Sequence, residues 1–273
     1  MTSRTRRGAI GLLLVAGLTG GTLAGCGTAA GTSSPPGPSS TSAAGGATST
    51  PVAAAAAAPA ARPAFAALAA PAAAPGLLRP GSSGPEVLAL QQRLASLGYW
   101  LGTADGHYGD LTVQAVTALQ KVAGLDRDGV VGPRTRAALD AGTRPSARST
   151  SGHVIEVDLR RQVVLVVDGG RVGLVLNTST GSGAWYTAPN GRTGHAVTPP
   201  GRFTTLRGVD GWDTSPLGHL YRPRYFNGGI AVHGYTSVPP QPASHGCVRV
   251  SLPAMDLIWG RGLMPVGGTV RVY

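Results

Sequence analysis

A change of hydrophobic period partway along the chain limits what it can fold into. Val87, Leu90, Leu94 and Leu97 recur at helical spacing and stop at Gly98. Leu111, Ala115, Val116, Leu119 and Val122 make a second stripe that ends at Gly124. A third short helix follows Gly132-Pro133, with Thr135, Ala138 and Leu139. Past residue 152 the pattern becomes short apolar runs, Val154–Leu159, Val163–Asp168 and Val172–Asn177, with Asp168-Gly169-Gly170 as a hairpin signal. Phe203–Leu206 reads as another strand, Pro253–Trp259 as a short helix capped by Ser251, and Gly268–Tyr273 as a last strand. Thr178–Pro200 and Trp212–Asn227 read as loops, with Tyr221, Tyr225 and Phe226 either lining a groove or packed inside. The expected fold is α+β and multidomain. A small three-helix bundle (76–141) and a short polar linker (142–152) precede a β-rich sandwich or partly closed barrel with one helix (153–273).

The first 75 residues have no such pattern. Arg4, Arg6 and Arg7 precede the apolar run Ile10–Leu23, which reads as a secretory signal over residues 1–25. Leu23-Ala24-Gly25-Cys26 resembles a bacterial lipobox, which implies that Cys26 is lipidated and anchors the chain to the outer face of a membrane. An uncleaved membrane anchor is the competing reading. Residues 26–75 are mostly Ser, Thr, Gly, Pro and Ala and read as a tether that cannot bury a core.

Charge narrows the surroundings. The formal net charge is +11, which suits an anionic wall or membrane face. The basic residues are scattered and form no aromatic-studded face, so nucleic acid is not expected as a partner. Lys121 is the sole lysine, and arginine carries the rest, a bias attributed to base composition. With Cys26 lipidated, Cys247 has no partner for a disulfide. An exported lone thiol is an oxidation hazard, which makes chemistry the better account of it.

Cys247 lies in the stretch that carries the chemistry, Gly229–Val250. Gly229–Gly234 reads as a strand ending on His233, Tyr235–Ala243 as a proline-broken loop, and Val248–Val250 as a second strand. Two strands joined this way can set His233 beside Cys247, and an imidazole can take a thiol proton. A protonated partner should also hold the thiol below its free value of about 8.5. His245 and Cys247 are two apart and would share a side of an extended chain. Gly246 permits close approach, with nearby N–H groups free for an oxyanion. Zinc on the two histidines and the cysteine is a rival, but no Asp or Glu lies in this stretch.

Thr198–Phe203 (TPPGRF), Ala231–Tyr235 (AVHGY) and Ser244–Val250 (SHGCVRV) resemble the signature of the YkuD-type L,D-transpeptidases, over about 120 residues from His153 to Tyr273. The resemblance implies Cys247 as nucleophile, His233 as base, and the Gly234 carbonyl as the group that orients it. It implies His245, Gly246 and Cys247 as the oxyanion region, and Ser244, Tyr235 and Arg249 as substrate contacts. The loop from His233 to Ser244 looks shorter than in many relatives, which puts loop-borne contacts in doubt. VLALQQRLASLGY, DGHYGDLT, AVTALQ and GLDRDGVVGPRT resemble the three-helix peptidoglycan-binding domain type 1. Tyr99, Trp100, His107 and Tyr108 are its candidate contacts, a structural role for Tyr99 and Tyr108 being equally open.

Together these resemblances imply a monomeric, lipid-anchored enzyme of the cell wall without cofactor or metal. Cys247 would form a thioester with a peptidoglycan tetrapeptide stem, release D-Ala, and make a 3→3 cross-link to a neighbouring stem on the glycan strands. Three alternatives are an L,D-carboxypeptidase, attachment of a protein to the wall, and a non-catalytic wall-binding protein.

Overall fold

A computed structural model describes residues 76–273. The signal, the lipobox cysteine and the tether lie outside the described residues. Three helices come first: α1 (Pro85–Ser96), α2 (Asp110–Ala123) and α3 (Pro133–Asp140). The β-rich part follows with β1 (His153–Asp158), β2 (Val163–Asp168), β3 (Arg171–Asn177), β4 (Trp185–Thr187), β5 (Thr193–His195) and β6 (Gly201–Thr204). It continues with β7 (Arg207–Gly208), β8 (Trp212–Ser215), β9 (Gly218–Asn227), β10 (Ile230–Tyr235), β11 (Val248–Ser251), α4 (Leu252–Gly260) and β12 (Thr269–Val272). The expected α+β architecture is present, a helical module followed by a β-rich one.

The strands form two five-stranded sheets and a hairpin. The first sheet runs β3-β2-β1-β12-β6, and the second β11-β10-β9-β7 with β8 paired to β9. β4 and β5 make the hairpin. Trp212–Asn227, read as a loop, is the β8–β9 ladder, pairing Trp212 with Tyr221 and Ser215 with Gly218. Its alternation of aromatic and polar residues is that of strands with one face wet.

β2 shows how the layers stack. Val163 through Val167 are all buried. Val163, Leu165 and Val167 join Val154 and Val175 against Leu94, Val116 and Leu119 of the helical module. Val164 and Val166 face the other way, onto Val232, Val248 and Val250 of the second sheet and Met255 and Ile258 of α4. A strand covered on both faces reads as an unbroken apolar run. The helices therefore cover one side of the first sheet. Truncating Leu165 or Leu94, each 0% exposed, to alanine would cost about 2–5 kcal/mol.

Backbone bonds tie the modules as well. Trp100 N–H donates to Val175 O (3.1 Å), and Val175 N–H to Gly98 O (2.8 Å), so the chain after α1 closes the edge of β3. Residues 142–152, read as a polar linker, are held down. The carboxylate of Glu156, buried in β1, accepts from the N–H groups of Arg148 (3.0 Å) and Ser149 (2.5 Å).

Two candidate ligand contacts of the helical module are core. Tyr99 is 0% exposed and donates to Thr143 O (2.9 Å); Tyr108 is 1% exposed and donates to Gly129 O (2.7 Å). Trp100 packs against the core between the two sheets, which leaves His107 as the exposed member of the four.

Candidate active site

β10 and β11 are parallel neighbours in the register Val232↔Val248, His233↔Arg249 and Gly234↔Val250. Cys247 sits just before β11. It lines a cavity of about 580 Å³ together with His233, Tyr235, Ser244, His245, Gly246 and Arg249. Tyr186, from the β4–β5 hairpin, and Leu217, from the β8–β9 turn, line the same space.

His233 is 4% exposed, and its Nδ1 lies 3.0 Å from the carbonyl oxygen of Gly234. A carbonyl only accepts, so Nδ1 carries the proton and Nε2 keeps its lone pair. Burial pushes the imidazole pKa down to about 4, against the pull of the Gly234 carbonyl and with the help of the Arg249 cation. The ring is thus a neutral base at every pH near 7. Gly234 itself is sterically fixed: a Cβ there would lie 2.8 Å from Tyr221 Cδ1 and 3.2 Å from both Leu252 and Met255.

The half-buried thiol of Cys247 rests against Ala231, and Sγ donates to Gly229 O at 3.7 Å. Burial raises its pKa, while the Ala231 backbone and Arg249 act in the opposite direction. The resting pair is therefore thiol and imidazole, not thiolate and imidazolium. This corrects the sequence expectation of a thiol held below its free value, because desolvation disfavours both charged forms at once.

The turn before Cys247 also departs from the extended geometry read from the sequence. Gly246 has φ +136°, with Val197 O only 3.0 Å from where a Cβ would stand. The Gly246 N–H donates to Ser244 Oγ at 3.0 Å, and Ser244 Oγ donates in turn to Cys247 O. Gly246 thus supplies the bend and not a free oxyanion donor, and Ser244, 2% exposed, holds the turn. His245 is exposed, with its ring edge-on to Tyr186 at 4.6 Å between centroids. Arg249 lays its guanidinium 4.1 Å above the Tyr235 ring, and its buried Nε has no hydrogen-bond partner. Among the described residues no group of three or more His, Cys, Asp or Glu is placed to hold a metal ion.

Sequence reasoning missed a supporting strand of chain. Residues 178–182, read as part of a loop, run beside the turn. Ser179 exchanges two backbone hydrogen bonds with Arg249 (3.2 and 3.0 Å), and the N–H groups of Ala243 and Ser244 donate to Thr180 O (3.0 and 2.9 Å). Thr198, first residue of the TPPGRF motif, accepts from Gly181 N–H (2.9 Å) and donates to Gly246 O (2.7 Å). The signal available was the run of small hydroxyl residues Thr178-Ser179-Thr180, which suits a chain that bonds sideways.

Comparison with known proteins shows the family. The family model of the L,D-transpeptidase catalytic domain (YkuD) matches residues 152–272, and a peptidoglycan binding domain model matches residues 83–139. The crystal structure of an L,D-transpeptidase (residues 123–326) from Xylanimonas cellulosilytica is 55% identical, with a TM-score of 0.71. The match covers 73% of this chain and 98% of that one. The chain belongs to the YkuD L,D-transpeptidase family and carries a peptidoglycan-binding type 1 module ahead of the catalytic domain. Among curated proteins it is 48% identical over 79 residues to the N-acetylmuramoyl-L-alanine amidase CwlL of Bacillus licheniformis, covering 28% of this chain and 22% of that protein. It is 43% identical over 56 residues to the amidase CwlM of Mycobacterium tuberculosis, covering 20% and 14%. The chain spans between about a seventh and a fifth of the length of these curated relatives.

Proposed function

We propose that the chain is a peptidoglycan L,D-transpeptidase that works by thioester chemistry at Cys247. The observation that carries this reading is a half-buried thiol in one cavity with a buried imidazole whose Nε2 is free. Cys247 Sγ attacks the carbonyl between the L-centre of the diamino acid and the terminal D-Ala of a tetrapeptide stem. His233 Nε2 takes the thiol proton and gives it to the departing D-Ala amine. The oxygen that becomes negative is met by the Cys247 N–H. An amine of a neighbouring stem then attacks the thioester, its proton passes through His233 to the departing thiol, and a 3→3 cross-link forms. Water in place of that amine makes the same site an L,D-carboxypeptidase, and a protein amine makes it an attachment enzyme. The unpaired Arg249 guanidinium, stacked on Tyr235, suits a carboxylate of the stem.

The helical module places the enzyme on peptidoglycan, residues 1–25 direct export, and lipidated Cys26 holds a single chain at the membrane's outer face. The domain limits we propose are 26–75 for the tether, 76–141 for the wall-binding module, 142–152 for the connection and 153–273 for the catalytic domain. A non-catalytic wall-binding role is disfavoured by the intact His233–Gly234–Cys247 arrangement.

Mass spectrometry of the purified chain with a tetrapeptide disaccharide tests this. The expected result is an acyl adduct on Cys247, release of D-Ala, and a 3→3-linked dimer. Absence of both adduct and D-Ala release, or release that survives Cys247→Ser, overturns it. Fractionation of a Cys26→Ala strain tests the anchor, which fails if variant and wild type are equally membrane-bound.

A further inference from the structure

The only lysine of the chain is buried where the helical module meets the first sheet. Lys121, in the last turn of α2, is 2% exposed. Its Nζ lies 3.0 Å from Gln162 O, 2.5 Å from Asn177 Oδ1 and 2.8 Å from Thr178 O. Three acceptors match the three protons of an ammonium, and all three are neutral. Burying a cation without a counter-ion is expensive, so the groups it gathers are held in one geometry or the cost is unrelieved.

Those groups belong to the support of the catalytic turn. Asn177 and Thr178 begin the strut whose Ser179 pairs with Arg249 and whose Thr180 accepts from Ala243 and Ser244. Thr178 Oγ1 also donates to Arg249 O at 2.6 Å, and Ser182 N–H donates to Ser244 O at 2.9 Å. Cys247 lies between Ser244 and Arg249, so the strut grips the chain on both sides of the thiol. The helical module adds further ties to the loop between His233 and Ser244. Asn177 Nδ2 donates to Gln114 Oε1 (2.6 Å) and to Val238 O (3.3 Å), and Arg127 donates to Pro240 O (3.0 Å).

We propose that Lys121 is a positioning residue for the reaction at Cys247. From the helical module it fixes residues 177–182, and through them the turn that presents the thiol and its N–H to the scissile carbonyl. The wall-binding module is thereby part of the framework of the active site. This inference rests on the reading of Cys247 as nucleophile. Misplacement of a reacting group by about 1 Å can cost on the order of a hundredfold in rate. Attack on a peptide carbonyl needs that alignment, whereas alkylation by a small reagent needs only an accessible thiol.

The test compares full-length wild type with Lys121→Met. Three quantities are measured: acylation of Cys247 by a tetrapeptide disaccharide, alkylation by iodoacetamide, and thermal unfolding. The expected variant is folded, acylated at least about tenfold more slowly, and alkylated within about twofold of wild type. Equal acylation of a folded variant overturns the inference, and so does a matched fall in both rates, which marks general loosening. If Lys121→Met does not fold, Gln114→Ala gives the reading, since it removes the other tie from α2 to Asn177 without stranding a charge. Slower acylation with unchanged alkylation supports the inference there, and unchanged acylation overturns it. A wild type that is not acylated at all sinks the proposed function, and the inference with it. A wild type and variant acylated alike sink the inference alone.

Discussion

Arg249 stands beside His233 in the parallel β10–β11 register, and its cation acts on both the imidazole and the thiol. It lowers the proton affinity of both, while burial acts oppositely on the two, lowering His233 and raising Cys247. The resting Cys247–His233 pair is therefore uncharged.

That neutrality sets the pH dependence of thiol reactivity. Alkylation of wild-type Cys247 is expected to rise with pH only above the free-thiol value of about 8.5, with no plateau of ion-paired thiolate near neutrality. Arg249→Met removes a cation that favours thiolate, so its profile should move to still higher pH. A pH series of iodoacetamide rates read by intact mass checks both. A plateau between pH 5 and 7 would show that the thiolate–imidazolium pair dominates after all.

His233 also links acidity to stability. Its folded pKa of about 4 lies below the unfolded value of about 6.5, so the unfolded chain binds more protons between those limits. Stability contributed by the neutral ring is complete above pH 6.5 and lost as pH falls toward 4, a loss on the order of 3 kcal/mol. Denaturant unfolding across this window should show a slope that His233→Gln flattens. An unchanged slope would mean that the ring titrates normally.

Cys247→Ser keeps the shape and removes the acidity. Loss of cross-linking by at least about a hundredfold is expected, with unfolding unchanged. Turnover near that of wild type would exclude Cys247 as nucleophile.

Gly234→Ala tests steric fixation of the base. The added methyl meets Tyr221 Cδ1 at 2.8 Å and must push strand or ring aside. A destabilisation of about 1–3 kcal/mol is expected, with slower acylation because the carbonyl that orients His233 moves too. Calorimetry and acylation rates on one preparation check this, and a neutral result in both would show that the site yields freely.

Lys121 makes stability rise with pH in a second window, above neutrality. Burial, and then Arg127, lower its pKa from the ordinary 10.5 to about 7. Between those values the unfolded chain holds the extra proton, so stability should rise with pH from 7 toward 10.5. Lys121→Met should abolish that rise. Thermal melts at pH 7 and 9 for the two proteins decide it.

The sequence singled out the candidate residues more plainly than their setting. His233, on a short strand, and Cys247, just before another, are rare residue types with glycine and proline nearby, so type and spacing alone single them out. The helical stripes and the run Val163–Val167 were equally plain, because burial leaves a periodic record. Partner choice leaves none. Tyr99 and Tyr108 could serve a ligand or a core equally well by type, and the structure spends both hydroxyls on backbone carbonyls. Gly246 was read as a point of close approach on an extended chain, and only the structure shows it as a bend whose N–H is already taken by Ser244. Lys121 looked like an accident of composition because nothing in a lone lysine says which sheet will close over it.

The edge of β3, closed by backbone from Gly98 to Trp100, has an evolutionary corollary. Modules strung as beads can be shuffled between genes at little cost. Here, severing the chain between helices and sheet would bare a strand edge and the apolar face holding Val163, Leu165 and Val167. Recombination that swapped the helical module alone would have to reproduce both. The two parts have to match one another for that edge and that face to stay covered.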